Sequence, residues 1–267
     1  MRTPPLAEKP SASRKLRISI RRSGLFSSCL CSDRAPTLRP PAVGSQPQMQ
    51  AVTDDVARQR PLLRGVFHLY ATIAAVAGAA LLLLVADSAR TYVGGAIFAA
   101  SLVLLYGTST AYHRITWTPT VRRLIKRLDH SMIFVLIAGT YTPFCLVVLN
   151  AAWGITMLSV IWGVAGGGVL LRVAWPTAPK WLGVSLYVIV GWLALIPARE
   201  LLAWFAPFPL LLLVLGGVLY TLGGLVYAVR KPNPWPRVLG YHEIFHLLVI
   251  LGSTLHYSLV AIYVLPS

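Results

Sequence analysis

Seven apolar runs, each near the roughly 20 residues that a bilayer core requires, leave this chain few architectures. They cover 65–86, 91–112, 129–149, 153–172, 181–198, 207–229 and 240–264. In hydrocarbon every backbone N–H and C=O must be satisfied within the segment or within a closed barrel, and runs of this length satisfy theirs as helices. The pattern predicts an all-α, multi-pass integral membrane protein: a seven-transmembrane helical bundle over 61–267. The fifth run is short and ends at Pro197. Thr142-Pro143 predicts a kink in the third, because proline cannot donate to the preceding turn. Gly166-Gly167-Gly168 predicts close helix packing in the fourth.

Charge then orients the bundle. The chain has 24 Lys+Arg against 8 Asp+Glu, a net charge of +16. Such a balance suggests a nucleic-acid partner in a soluble chain. Here the cations lie in the first 60 residues and in connections between apolar runs, with no reader motif beside them. Nucleic acid is therefore not an expected partner; membrane lipids are. The connection 114–128 carries Arg114, Arg122, Arg123, Lys126 and Arg127, that at 172–180 carries Arg172 and Lys180, and that at 230–239 carries Arg230, Lys231 and Arg237. Alternate connections are nearly neutral: Arg90 is offset by Asp87, and Arg199 by Glu200. Every basic segment falls on one side, which predicts a cytoplasmic N-terminus and an outside C-terminus.

Residues 1–60 are rich in Arg, Ser and Pro without apolar periodicity and are expected to form a disordered basic tail. Arg14-Lys15-Leu16-Arg17 and Arg21-Arg22 have some transit-peptide character, but a cytoplasmic tail is the preferred reading. Met49 is an alternative start. Three cysteines, Cys29, Cys31 and Cys145, make neither a disulfide framework nor a cysteine zinc finger. Cys145 is expected to be a small buried apolar residue.

Ionisable groups inside spans are costly and mark function. Ser109 and His113 lie four apart at the end of the second run, Asp129 opens the third, and His242 and His246, again four apart, open the seventh. In the expected topology all five converge at one depth, near the cytoplasmic leaflet. Histidines at i and i+4 can share one metal ion, and His113 would add a third nitrogen. Three protein ligands with a fourth position left for water is the pattern of a catalytic zinc site. Asp129 would then act as general base or orient the water, and Ser109 would hydrogen-bond the water or the developing oxyanion.

His242-Glu243-Ile244-Phe245-His246 also matches the metalloprotease pattern in which Glu243 is the base; the alternative for Glu243 is a favourable negative charge at a helix N-terminus. His256 shares the stripe of His242 and His246 but lies about 15 Å beyond His246, so it either lines a cavity below the site or is a hydrogen-bonded structural residue. His130 points to another face than Asp129 and is not an expected ligand. His68, beside Arg64, reads as an interfacial residue.

At these residues the sequence resembles the haemolysin III branch of the progestin and adipoQ receptor superfamily. The matching pieces are Arg64-Gly65-Val66-Phe67-His68, Ser109-Thr110-Ala111-Tyr112-His113, the stretch from Leu128-Asp129-His130 through Thr142-Pro143-Phe144, and His242-Glu243-Ile244-Phe245-His246. The resemblance implies a seven-helix bundle with a cytoplasmic N-terminus in a bacterial-type plasma membrane. It also implies zinc held by His113, His242, His246 and water, with Asp129 and Ser109 adjacent. The superfamily resembles the alkaline ceramidases and includes the adiponectin receptors, which implies a hydrolase acting on a lipid amide or ester. The haemolysin name implies cytolysis by pore formation. Short loops leave no room for a hormone-binding domain, so no soluble hormone ligand is expected. Three readings stand at this point: a zinc-dependent intramembrane lipid hydrolase, a pore-former, and a membrane-homeostasis sensor with structural zinc. The oligomeric state is not assigned.

Overall fold

The computed structural model of the chain describes residues 61–266; the expectations for the tail, its cysteines and the start at Met49 lie outside the described residues. Eight α-helices follow one another among the described residues. They are α1 (Val66–Leu84), α2 (Ala89–Arg114), α3 (Pro119–Pro143), α4 (Ala151–Ala174), α5 (Lys180–Gly191), α6 (Ala198–Trp204), α7 (Pro207–Val229) and α8 (Tyr241–Leu259). π-Helical turns extend α3 through Phe144–Val148 and α8 through Val260–Val264, and a 3₁₀ turn, Trp192–Leu195, extends α5. Among the described residues, six helices are long and apolar enough to cross a membrane. The pair Lys180–Leu195 and Ala198–Trp204, bent by 57°, makes a seventh span if taken as one. The break falls at Ile196-Pro197, where the proline that ends the fifth run denies the helix a donor.

Local chemistry explains the helix ends. Ser88 and Thr91 form a reciprocal capping box at the start of α2, and the Asn150 side chain accepts from the Trp153 N–H at the start of α4. Pro119 and Pro207 open α3 and α7, positions where the missing N–H costs nothing. The basic stretch Arg122–Arg127, expected in a connection, is helical: α3 begins at Pro119, ten residues before the apolar run. Long cationic side chains let a helix continue past the hydrocarbon with their heads in water.

α1 packs on α2, α2 on α3, α3 on α4 and α7 on α8, α5 packs on α3, α4 and α7, and α8 returns to α1. The outward faces are apolar, with Leu84, Ile155 and Leu170 among the most exposed side chains, whereas His68, Ser109, Arg172, Glu243, His246 and His256 are buried. Gly94 meets Pro143 so closely that a Cβ would stand 2.9 Å from the proline Cα, which seats α2 on the Thr142-Pro143 segment. The triple glycine packs at one position alone. A Cβ at Gly168 would be 2.5 Å from the Phe134 ring, but Gly166 and Gly167 have nothing within 4 Å. Their side of α4 faces outward. Cys145 is buried, as expected.

Candidate metal centre

The site is assembled by the N-terminus of α8. Gly240 donates its N–H to the Glu243 carboxylate at 2.9 Å, and the other oxygen of that carboxylate pairs with the Arg64 guanidinium ahead of α1. Glu243 is fully buried, so this contact ties the entry of α1 to the first turn of α8. Gly65 completes the arrangement. Its φ of +76° is left-handed, and a Cβ there would stand 2.6 Å from the Cβ of His113. The end of α2 thus lies directly against the start of α1, and both lie beside α8.

His242 and His246, one helical turn apart on α8, face His113 at the end of α2. The Nε2 atoms of His242 and His113 are 3.1 Å apart, and one ligand atom from each histidine lies within 4.8 Å of the other two. Ring centroids are 4.4 Å apart for His242–His246 and 5.3 Å for His113–His246. Two nitrogens at about 2.0–2.1 Å from one tetrahedral ion stand about 3.3 Å apart, so the His242–His113 spacing suits a shared metal. The buried Nδ1 of His246 finds no hydrogen-bond partner among the described residues. Donor type, spacing and burial all fit a metal ion held by three imidazoles.

Ser109, one turn before His113, and Asp129, on the facing side of α3, line the same cavity as His242 and His246. Ser109 is 2% exposed, and its buried hydroxyl finds no hydrogen-bond partner among the described residues. Below this polar end the cavity, about 140 Å³, is walled by residues such as Leu136, Ile137, Val184 and Val188. A second, almost wholly apolar cavity of about 250 Å³ adjoins the first; Thr140, Tyr141, Trp192 and His256 line both. It extends to Phe144, Cys145 and Leu201, beside the α5–α6 break.

Both roles open for His256 apply: its Nε2–H donates to the Leu213 carbonyl at 3.0 Å, and its ring lines both cavities. His130 stays outside the histidine cluster. Its Nε2 is 3.2 Å from the Tyr227 hydroxyl and its Nδ1 2.8 Å from the Lys126 carbonyl. The Glu243 carboxylate is taken up by the Gly240 N–H and the Arg64 guanidinium, in the role of a helix N-terminal acid.

Two residues were misplaced by sequence reasoning. His68 is not interfacial: it is 3% exposed, lines the cavity, and stacks on His246 with centroids 3.7 Å apart and planes 14° from parallel. The available signal was its position inside the first apolar run. Arg172 is not a connection cation. It belongs to α4, is 8% exposed and lines the same cavity. It too lies within an apolar run, at the last residue of the fourth.

The family model for haemolysin-III-related proteins matches residues 56–257. Among curated proteins, the hemolysin-3 homolog of Bacillus subtilis (strain 168) is 36% identical over 176 residues, 66% of this chain and 79% of that protein. Hemolysin-3 of Bacillus cereus is 35% identical over 67% of this chain and 79% of its own length. The adiponectin receptor protein of Drosophila melanogaster is 30% identical over 61% of this chain but only 40% of its own length.

Proposed function

The chain belongs to the haemolysin-III-related family, and within it we propose a zinc-dependent intramembrane hydrolase that cleaves a lipid amide or ester. One observation carries the reading: His113, His242 and His246 bring their ligand atoms within 4.8 Å of one another, and His242 and His246 line a cavity that also presents Asp129 and Ser109 and shares a wall with an apolar one.

His113, His242 and His246 would hold the ion, which when bound supplies a polarising charge that makes water a nucleophile near neutral pH. Asp129 accepts a proton from the attacking water and returns it to the departing amine or alcohol as the acyl carbon exchanges its C–N or C–O bond for one to the water oxygen. Ser109 donates to the carbonyl oxygen as negative charge grows on it. The apolar cavity takes the acyl chain and keeps bulk water from the reacting carbonyl. By the basic connections, the site faces the cytoplasmic leaflet.

The test combines metal analysis with lipid profiling. Protein purified without chelator should hold about one zinc per chain and lose it in His242→Ala. Asp129→Asn should keep the zinc while its lipid substrate accumulates in the cells that carry it. A metal-free wild-type protein, or a lipid profile of Asp129→Asn identical to that of wild type, removes the hydrolase.

A further inference from the structure

Arg172 is a buried cation that the reaction above does not use. At 8% exposure it lies out of water, and among the described residues no carboxylate forms an ion pair with it. A guanidinium cannot shed its proton, so burying it without a counter-charge is costly unless a ligand supplies one. Its Nε donates to the Tyr187 hydroxyl at 3.3 Å, a neutral partner, and its guanidinium carbon lies 5.6 Å from the centre of that ring. The Tyr187 hydroxyl in turn donates to the His130 carbonyl at 2.9 Å, which brings the guanidinium within one side chain of the residue next to Asp129.

The niche is shaped for this group. A Cβ at Gly183 would stand 1.3 Å from the Arg172 Nη2, so a residue without a side chain makes the room. The surroundings add positive charge: Lys126 and Lys180 act with Arg172 on His130, and the Lys180 Nζ sits 5.3 Å above the Tyr227 ring on the cavity wall. On that wall Asp129 is the lone acid among the described residues.

We propose that Arg172 binds a carboxylate or phosphate on the leaving portion of the substrate, so that the cavity selects acyl amides or esters with an anionic head. A guanidinium fork grips either anion through paired N–H donors, and the exposed Lys126 and Lys180 nearby add a positive field that draws such a head inward. The proposal rests on the reading of the cavity as a lipid-hydrolase site and gives that site a substrate class.

Binding decides it independently of turnover. The full chain, zinc-loaded in nanodiscs of zwitterionic lipid, is titrated by displacement of a fluorescent fatty-acyl probe. One pair of competitors is N-palmitoylglycine and its neutral glycinamide; the other is an acyl glycerol phosphate and the matching monoacylglycerol. Wild type should prefer the anionic member of at least one pair by about tenfold or more, as expected for a hydrogen bond to a charged group. The favoured pair identifies the anion as carboxylate or phosphate. Arg172→Gln should bring that preference to about one, and Arg172→Lys should keep part of it. Equal affinities in wild type, or an unchanged preference in Arg172→Gln, overturn the proposal. If Arg172→Gln fails to fold, Gly183→Ala decides: its methyl group displaces the guanidinium and should abolish the preference, and a preference that survives overturns the proposal. An Arg172-dependent preference with no hydrolysis of any competitor leaves the anion site standing and removes the hydrolase.

Discussion

Glu243 shows how one motif can carry two incompatible roles until its surroundings are known. In the metalloprotease pattern it would be the base; in the structure it accepts from Gly240 and pairs with Arg64. Glu243→Gln keeps an oxygen for the Gly240 N–H and loses the ion pair. Because Arg64 is partly exposed, the cost should be about 1–2 kcal/mol, read as a lowered melting temperature. Zinc content should be unchanged and lipid turnover should stay within a few-fold of wild type. A general base removed in this way would instead cost roughly 10²–10⁴-fold, and a loss of that size would return Glu243 to the chemistry. Spacing made His242 and His246 legible as a pair on one face of α8, because i and i+4 positions share a face whatever surrounds them; His113 joined them through the expected topology and the family resemblance. His68 and Arg172 were not legible. Each sits where an apolar run meets its cationic flank, and whether such a side chain turns toward water or toward the interior depends on the helix packed beside it.

At the scale of the element, the helices follow from the apolar runs, and their errors are informative. The start of α3 was missed by ten residues, since a basic helical turn and a basic loop have the same composition. Small-residue runs mark where helices can approach, yet which glycine makes the contact depends on the rotation of the helix about its axis. Gly168 and Gly166 test that rotation. Gly168→Ala drives a methyl group into Phe134 and should destabilise by about 1–3 kcal/mol. Gly166→Ala meets open space and should be neutral or stabilising by up to about 1 kcal/mol through helix propensity. Thermal unfolding of both variants in one detergent should place the two melting temperatures on opposite sides of wild type or leave the second level with it. Equal losses would place the contact elsewhere on α4.

Across the whole molecule, the cavity at the polar site shares a wall with the apolar cavity beside the α5–α6 break, where the hydrolase reading sets the acyl chain. Ala198→Trp fills part of the second cavity. It should therefore shift turnover from long-chain to short-chain substrates while leaving the zinc content unchanged, as read by a chain-length series on purified protein. A uniform loss at all lengths would argue that the chain lies elsewhere. By itself the sequence determined the helical class, the count of apolar runs and the pairing of His242 with His246 on one helix face. These follow from bilayer thickness, from backbone hydrogen bonding in hydrocarbon and from helical periodicity, all of which are properties of single segments. Only the tertiary structure decided that Glu243 caps α8, that His68 stacks on His246, that Arg172 turns inward and that a second, apolar cavity adjoins the one at the site. Those depend on how helices distant in sequence are rotated and seated against one another, and helix rotation is set by packing partners that no single segment contains.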